Sequence, residues 1–310
     1  MPEERHFTYR SADGLTEIHA VEWIPDGEVR GILQIVHGMQ EYIERYADFA
    51  RYMNEQGFLV TGNDHLGHGT SIRSEEYYGY FAEKDGDRKV IADIRRLYRM
   101  TSEKYPDLPY FMLGHSMGSF LAREYIALYG SSLTGAVISG TAWHGTAESL
   151  FGMGLCSVMA FFKGWRYRSK FVNDLAMGSY NKRIDPVRTP EDWLSRDEAV
   201  VDAYRADKRT RFMFTLQGYY TMFKVLLFIS RRSNYGRTPA DLPVFFIAGQ
   251  EDPVGNYGSG PKRAAAHLQE AGVRDVTCRL YPQDRHEVLN ELDRDVVYAD
   301  TLQWILARMP

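Results

Sequence analysis

Six short apolar runs alternate with helical patterns along this sequence, and few folds accommodate that order. The runs lie at residues 31–36, 58–61, 110–113, 136–139, 244–248 and 276–281. Short, nearly continuous apolar runs are typical of strands buried on both faces of a parallel sheet. Helical spacing predicts the helices around them, at residues 42–56, 87–104, 117–129, 262–271 and 293–307.

This alternation predicts a doubly wound α/β fold with a mostly parallel central sheet and helices on both faces. The chain opens differently, because alternating patterns at 6–10 and 16–23 flank a turn-forming Ser-Ala-Asp-Gly and predict an antiparallel hairpin. Residues 141–240 show no convincing strand pattern, and we expect a helical cap insertion there. The predicted division is an α/β domain formed by 1–140 and 241–310, with a cap formed by 141–240.

Composition excludes several classes of protein. The formal net charge of −4 and the isoelectric point of about 6.2 lack the basic character typical of nucleic-acid-binding domains. The longest apolar run, 151–162, is shorter than the roughly 20 residues that span a bilayer. Two cysteines match no metal-binding spacing and residues 1–10 show no signal-peptide pattern, so we expect a cytoplasmic protein. Its oligomeric state does not follow from the sequence.

The strongest local pattern is Gly-His-Ser-Met-Gly at 114–118, directly after one predicted strand and directly before a predicted helix. A serine in this context is typical of a nucleophile elbow, a strained turn that lifts the hydroxyl clear of the sheet. The flanking glycines relieve the crowding at the turn. We therefore predict that Ser116 is a nucleophile.

A serine nucleophile needs a general base and a group that orients the base. In folds with this elbow an acid and then a histidine follow the serine, at the ends of later strands. Asp252 follows the fifth apolar run and His286 follows the sixth, so we predict Asp252 as the orienting carboxylate and His286 as the base. Glu251 and Asp284 compete with Asp252, but Asp284 is too close to His286 in sequence to reach the far side of its ring easily.

The negative charge that develops on an attacked carbonyl oxygen needs hydrogen-bond donors. The elbow supplies one donor from the backbone N–H of Met117. The loop after the first apolar run reads His-Gly-Met-Gln, and the N–H of Met39 is the second candidate. His37 precedes this turn and is expected to brace the loop rather than to catalyse.

A glycine-rich segment at 64–71 contains two histidines and resembles a metal site at first sight. His65 and His68 fall short of the three protein ligands that a catalytic zinc generally needs. We therefore expect a structural loop here, and neither a metal nor an organic cofactor for the protein.

Together these motifs resemble the monoacylglycerol lipase and lysophospholipase branch of the α/β-hydrolases, which is also grouped with serine aminopeptidase-like hydrolases. The resemblance spans nearly the whole chain outside 141–240 and rests on five ordered motifs: His37-Gly38 with Glu41 and Arg45-Tyr46, Asp64 with Gly67-His68-Gly69 and Ser71, the elbow, Gly249 with Asp252-Pro253, and His286-Glu287. It implies an α/β-hydrolase fold, a triad of Ser116, His286 and Asp252, and oxyanion donors at Met39 and Met117. The cap matches no lipase cap by motif.

The predicted cap differs from the rest of the chain in charge and composition. It contains 16 Lys and Arg against 9 Asp and Glu, although the whole chain has a net charge of −4. Its Phe and Met side chains suit a flexible acyl chain, and we expect substrate contacts from Phe151, Phe161, Phe162, Phe223 and Leu227. A basic, apolar cap also fits peripheral contact with an anionic membrane, although an ordinary cap core with solvated charges explains the pattern at least as well.

The sequence therefore predicts a serine hydrolase that cleaves carboxylic esters, with a monoacylglycerol or lysophospholipid as the preferred small-molecule substrate. Two alternatives stay open. An amidase or aminopeptidase would keep the triad and need acidic cap groups to hold a substrate amine, whereas a catalytically idle receptor of the same fold would only bind a small ligand. A dehalogenase is excluded, because it needs a carboxylate nucleophile at position 116.

Overall fold

The computed structural model describes residues 3–310, which form an eight-stranded sheet surrounded by helices. The strands are β1 Glu3–Arg10, β2 Glu17–Ile24, β3 Gly31–Val36, β4 Phe58–Asn63, β5 Tyr110–His115, β6 Gly135–Ser139, β7 Val244–Gly249 and β8 Val276–Tyr281. The α-helices are α1 Ala47–Glu55, α2 Gly86–Lys104, α3 Met117–Tyr129, α4 Thr146–Lys163, α5 Lys170–Met177, α6 Glu198–Ala206, α7 Leu216–Ser230, α8 Arg232–Tyr235, α9 Ser259–Glu270 and α10 Arg294–Leu306.

The strand order across the sheet is β1-β2-β4-β3-β5-β6-β7-β8. β2 pairs antiparallel with β1 and β4, and the later pairs are parallel. In the opening hairpin Arg10 pairs with Glu17, and the Asp13 carboxylate accepts the N–H groups of Leu15 and Thr16 in the turn. The predicted fold class, a mostly parallel α/β sheet with an N-terminal antiparallel hairpin, is confirmed.

The two larger hydrophobic cores lie on opposite faces of the sheet. Helices α2, α3 and α9 pack on one face, with Ile94, Leu121 and Leu268 buried there. Helices α1 and α10 pack on the other, with Phe49 and Ile305 buried there. Because both faces are covered, β3 to β7 are buried along their whole length, and ligands are expected beyond their carboxyl ends.

Two expectations about individual elements need correction. Burial on both faces is expected at 276–281, yet β8 alternates between half-buried and exposed residues, because it is the edge strand with β7 as its only neighbour in the sheet. The helix expected at 42–56 begins as a 3-10 turn at Ile43–Tyr46 and becomes α-helical from Ala47. Its start is fixed from outside, because the Ile43 N–H is bonded to the Asp64 carboxylate.

Residues 140–243, called the inserted segment below, connect β6 to β7. Within the described chain this segment contains helices α4 to α8 and no strand. Helix α4 packs on α7, and Gly152 permits the contact, because a Cβ there would lie 2.6 Å from the Phe223 ring. The domain division at residues 141 and 240 stays a prediction. Among residues 3–310, no helix has the length and apolar character needed to cross a bilayer.

Candidate active site

Ser116 lies at the sharp turn between β5 and α3, with φ of 54° and ψ of −123°. Few residues other than glycine adopt a positive φ without strain. The turn also brings backbones too close for side chains, since a Cβ at Gly114 would lie 2.4 Å from the Gly118 oxygen, and one at Gly118 would lie 1.9 Å from the Val36 oxygen. The sequence therefore has glycine at both positions, and the strained residue between them is the serine.

Asp252 and His286 lie in the loops after β7 and β8 and are joined by a hydrogen bond. His286 Nδ1 is 3.0 Å from Asp252 Oδ1, and the two side chains are 2% and 0% exposed. This contact gives Nδ1 the proton, because the carboxylate only accepts. His286 Nε2 is buried and has no hydrogen-bond partner among residues 3–310, so it is not bonded to Ser116 in this structure.

The environment of His286 acts on its pKa in two opposing ways. Burial lowers the pKa, whereas the negative charge of Asp252 and the hydrogen bond to it raise the pKa. The carboxylate outweighs burial, and the pKa of His286 lies above its usual value. His286 consequently gains a proton more readily than a free imidazole does.

Glu251 and Asp284, the alternatives to Asp252, do not contact His286. Glu251 is exposed. Asp284 is buried, but its Oδ1 accepts a hydrogen bond from Arg196 at 2.5 Å rather than one from His286. Of the three acids weighed from the sequence, Asp252 is the one in contact with His286.

The inserted segment holds the His286 loop through main-chain contacts that the sequence did not reveal. The N–H of His286 lies 3.3 Å from the Trp193 carbonyl, and the N–H of Glu287 lies 2.7 Å from the Leu194 carbonyl. The Trp193 ring also packs on the His286 ring, with centroids 5.1 Å apart.

Arg196 of the inserted segment adds ion pairs to Asp284, Glu291 and Asp293. No local pattern indicates these contacts, because the partners are about 90 residues apart in sequence.

The loop after β3 lies directly against the elbow. A Cβ at Gly38 would lie 2.9 Å from the Ser116 Cβ, so the backbone around Met39 passes close to the serine. Met117 is the first residue of α3, where the N–H has no partner within the helix. Both methionines line the same cavity as Ser116.

His37 is fully buried beneath this loop and is absent from the cavity wall. Its Nε2 accepts the N–H of His65 at 2.9 Å, and its Nδ1 donates to the Gly38 carbonyl at 2.8 Å. Burial lowers the pKa of His37 well below its usual value, which keeps the ring neutral. These contacts fit a residue that fixes the loop.

The segment at 64–71 is folded around the Asp64 carboxylate, which accepts the N–H groups of Ile43 at 2.9 Å and Thr70 at 2.8 Å. His65 and His68 each donate to a backbone carbonyl at 3.1 Å. Burial lowers the pKa of His65 to about 3 and that of His68 to about 4. The segment supports the neighbouring loops by hydrogen bonds, and its histidines are neutral.

A buried ion-pair network connects the loop after β3 to the His286 loop. Arg45 binds Glu41 at 2.9 Å and binds Glu287 with two bonds of 2.8 and 2.7 Å. Glu41 in turn accepts the Gly38 N–H and, at 2.9 Å, the Tyr46 hydroxyl. Although burial raises the pKa of Glu287, Arg45 more than offsets this and lowers it to about 2. Burial together with Glu287 raises the pKa of Glu41 to about 7.

Ser116 and His286 open into a cavity of about 550 Å³. Its wall is mostly apolar and includes Met39, Phe120, Leu155, Val172, Leu175, Ala176, Met177, Met222, Leu226 and Val254. A volume of this size, lined in this way, is typical of a pocket for a small apolar ligand.

The five candidate substrate contacts divide into two groups. Phe151 and Phe223 line the cavity. Leu227 is half-buried outside it, and Phe161 and Phe162 point outward, 84% and 76% exposed. Their position along α4 explains the difference, because Phe161 and Phe162 lie about 15 Å, or roughly three turns, beyond Phe151, whereas the α4 residues on the cavity wall end at Leu155. No sequence pattern indicates which part of α4 borders the cavity.

Comparison with known proteins identifies the family to which the chain belongs. The sequence profile of the family described as serine aminopeptidase, S33, matches residues 27–293. A monoacylglycerol lipase of Mycolicibacterium smegmatis is 27% identical over 93% of this chain and 92% of its own length. The human monoglyceride lipase is 23% identical over 92% of this chain and 86% of its own length.

Solved structures show the same fold. A thermostable carboxyl esterase from Bacillus coagulans, in complex with glycerol, superimposes with a TM-score of 0.92 at 30% identity over 99% of both chains. A monoglyceride lipase variant from Saccharomyces cerevisiae superimposes with a TM-score of 0.77 at 18% identity, over 100% of this chain and 96% of that chain. The chain belongs to the serine aminopeptidase (S33) family and has the α/β-hydrolase fold.

Proposed function

We propose that this protein is a serine hydrolase that cleaves carboxylic esters through an acyl-enzyme, with a monoacylglycerol or lysophospholipid as substrate. The proposal rests mainly on one observation. The buried His286–Asp252 pair leaves Nε2 unpartnered at the wall of an apolar cavity that also contains the strained Ser116. The names of the relatives, which include monoacylglycerol lipases and a probable lysophospholipase, support the same substrate class.

In the proposed reaction the Ser116 hydroxyl attacks the ester carbonyl and passes its proton to His286 Nε2. Asp252 holds the ring in the tautomer that accepts this proton and stabilises the imidazolium that forms. The backbone N–H groups of Met39 and Met117 donate to the oxyanion, a role for which one donor is typically worth about a hundredfold to a thousandfold in rate. His286 then gives the proton to the leaving alcohol, and water repeats the sequence on the acyl-enzyme.

The carboxylates around the cavity bear on the aminopeptidase alternative, which needs an acid free to hold the substrate amine. Three carboxylates line the cavity, at Glu41, Glu148 and Glu287. Glu41 and Glu287 are bonded to Arg45, so neither is free. Glu148 lies 3.4 Å from His144, but burial lowers the pKa of His144, so the neutral ring does not compensate its charge. Within residues 3–310, Glu148 is therefore the one acid of this wall that an aminopeptidase could use.

Hydrolysis of p-nitrophenyl esters from acetate to palmitate tests the proposal, with the Ser116→Ala variant measured beside the wild type. We expect kcat/KM to rise with chain length until the acyl chain fills the cavity, because each buried methylene contributes about 0.8 kcal/mol. A preference for acetate would contradict a lipid substrate. Activity that does not depend on Ser116 would contradict the triad, and absence of hydrolysis would favour the amidase or receptor alternatives.

We expect kcat/KM to fall on acidification, with the midpoint of this acid limb above pH 6.5, the approximate pKa of a free histidine. Only neutral His286 accepts the serine proton, and Asp252 raises its pKa. The effect on stability has the opposite sign, because a raised folded-state pKa stabilises the fold most at low pH, and this contribution is lost as the pH rises through that pKa. Protonation of His286 therefore does not destabilise the fold. Loss of activity on acidification reflects the loss of the neutral base rather than unfolding caused by the His286–Asp252 pair.

Measuring kcat/KM from about pH 4.5 to about pH 9 checks this expectation, with thermal unfolding recorded over the same range. The Asp252→Asn variant should move the acid limb to lower pH, because the negative charge that raises the pKa of His286 is gone. An acid limb that stays in place in this variant would contradict the assignment of Asp252.

We further propose that the inserted segment docks on anionic membranes, which would deliver lipid substrates to the cavity. Helices α4 and α5 expose large apolar side chains, namely Leu150, Phe151, Val158, Phe161, Phe162, Phe171 and Leu175. Lys163 follows directly after Phe162. An exposed apolar surface beside basic residues is typical of a helix that lies in the headgroup region of a membrane.

Sedimentation with phosphatidylcholine vesicles, with and without about 30 mol% phosphatidylglycerol, tests this surface. We expect the double variant Phe161→Ser/Phe162→Ser to lower the partition coefficient on anionic vesicles at least about tenfold, because two large apolar side chains no longer enter the interface. Leu292→Ser, which removes an exposed leucine outside the inserted segment, is the matched control and should bind as the wild type does. Equal binding of all three proteins would contradict the proposal.

A further inference from the structure

A second cavity, of about 870 Å³, adjoins the one that contains Ser116. Gln40, Met177, Trp193 and Tyr204 line both cavities. The remaining wall of the second cavity is largely polar and includes Asn173, Asn181, Asp202, Arg205 and Arg211. An apolar cavity and a polar cavity thus lie side by side, separated by shared side chains.

The second cavity shares with the first the wall formed by Trp193, beside the histidine that would protonate a leaving alcohol. In the proposed reaction His286 gives its proton to the leaving oxygen, so the alcohol lies next to His286. Trp193 packs on the His286 ring, with centroids 5.1 Å apart, and forms part of the wall of the second cavity. An ester with its acyl chain in the apolar cavity would therefore place its head group toward the polar one.

The ion pairs in this wall leave one cation without a carboxylate. Glu191 pairs with Arg205 at 3.0 Å and Asp202 pairs with Arg188 at 2.7 Å. Asp174, the third acid of the wall, pairs with Lys170. Arg211, in contrast, forms no ion pair within residues 3–310. A substrate head group in this cavity would thus lie beside carboxylates that already have cationic partners and beside one guanidinium, that of Arg211, that has no carboxylate partner.

Arg211 is also tied to the loop after β3. It directly precedes Phe212, whose carbonyl accepts a hydrogen bond from the Gln40 side chain. Gln40 in turn directly follows Met39, the candidate oxyanion donor. The backbone next to Arg211 is therefore held by a hydrogen bond to the loop that contains Met39.

We propose that the second cavity binds the alcohol portion of the substrate and that Arg211 selects alcohols bearing a phosphate, such as glycerol phosphates. This inference rests on the proposed function and narrows its substrate class to lysophospholipids. A planar guanidinium forms short, charge-assisted and frequently bidentate bonds to phosphate. The cavity volume suits a drug-sized group, which leaves room beyond glycerol itself.

The test compares two esters that share acyl chain and scissile bond, 1-oleoyl glycerol and 1-oleoyl glycerol 3-phosphate. In both, hydrolysis breaks the acyl C–O bond, and the proton from His286 goes to the alcohol oxygen that leaves. The readout is the ratio of kcat/KM for the phosphate ester to kcat/KM for the neutral ester, at concentrations below micelle formation. We expect Arg211→Gln to lower this ratio about tenfold, since one charge-assisted contact is lost at a solvent-accessible site.

Two further variants separate charge from structure. Arg211→Lys keeps the positive charge and should retain most of the ratio. Arg237→Gln removes an exposed arginine of the inserted segment that lines neither cavity, and it should leave the ratio unchanged. An unchanged ratio in Arg211→Gln, or equal losses on both esters, would overturn this inference while leaving ester hydrolysis intact. Failure of the wild type to hydrolyse either ester in a Ser116-dependent way would instead overturn the proposed function.

Discussion

Replacing Ser116 by alanine is expected to lower kcat for ester hydrolysis by about a millionfold, the loss typical when a serine nucleophile is removed. The covalent route disappears with the hydroxyl, and water must attack the ester directly. Residual rate enhancement then comes from the oxyanion donors and from substrate binding. Stopped assays with a p-nitrophenyl ester in the preferred range of chain length measure the loss.

A double variant makes this prediction sharper. Groups that act as one unit have strongly non-additive effects, so Ser116→Ala/His286→Ala should be about as slow as Ser116→Ala alone. Circular dichroism and the unfolding midpoint provide the control for folding. Alanine removes only the hydroxyl at a position where the φ of 54° is already imposed by the turn. A further large loss in the double variant would mean that His286 acts independently of Ser116.

Much of this architecture follows from local sequence. The buried strands are recognisable because apolar runs persist on both faces, and the elbow is recognisable because two glycines must surround a strained serine. The placement of Asp252 and His286 after β7 and β8 follows from chain order alone. Adjacent parallel strands then bring the two loops together, which accounts for the 3.0 Å contact.

The contacts between the inserted segment and the α/β core were not predictable in the same way. Trp193 and Arg196 meet the His286 loop across about 90 residues of sequence, and neither belongs to a motif. The outward orientation of Phe161 and Phe162 depends on which face of α4 packs on α7, and an almost uniformly apolar helix does not encode that choice. The edge position of β8 is likewise a property of the whole sheet.

Replacing Arg45 by methionine is expected to lower the free energy of unfolding by about 3–5 kcal/mol, the range seen when one partner of a buried ion pair is removed. Arg45 is 11% exposed, and its partners Glu41 and Glu287 are 4% and 5% exposed. Without the guanidinium the two carboxylates remain buried and repel each other. Their pKa values should rise, and at neutral pH at least one of them should take up a proton.

Urea unfolding of the variant measures this loss, and Arg51→Met is its matched control. Arg51 also pairs with an acid, Asp48, but both side chains are more than half exposed, so its removal should cost at most about 1 kcal/mol. Adding Glu287→Gln to Arg45→Met should recover part of the lost stability, because one of the two uncompensated charges is then removed. Equal costs for Arg45→Met and Arg51→Met would show that the buried network does not stabilise the fold.

The same substitution should affect catalysis even where the variant is still folded. Arg45 joins the loop that contains Gly38 to the loop that contains His286, through Glu41 and Glu287. Loosening either loop moves the candidate oxyanion donor or the base away from the ester, and misplacement of about 1 Å can reduce a rate about a hundredfold. Measured at a temperature well below its unfolding midpoint, Arg45→Met should therefore show a lower kcat, whereas Arg51→Met should not. A kcat equal to that of the wild type would mean that the network supports the fold without positioning the reacting groups.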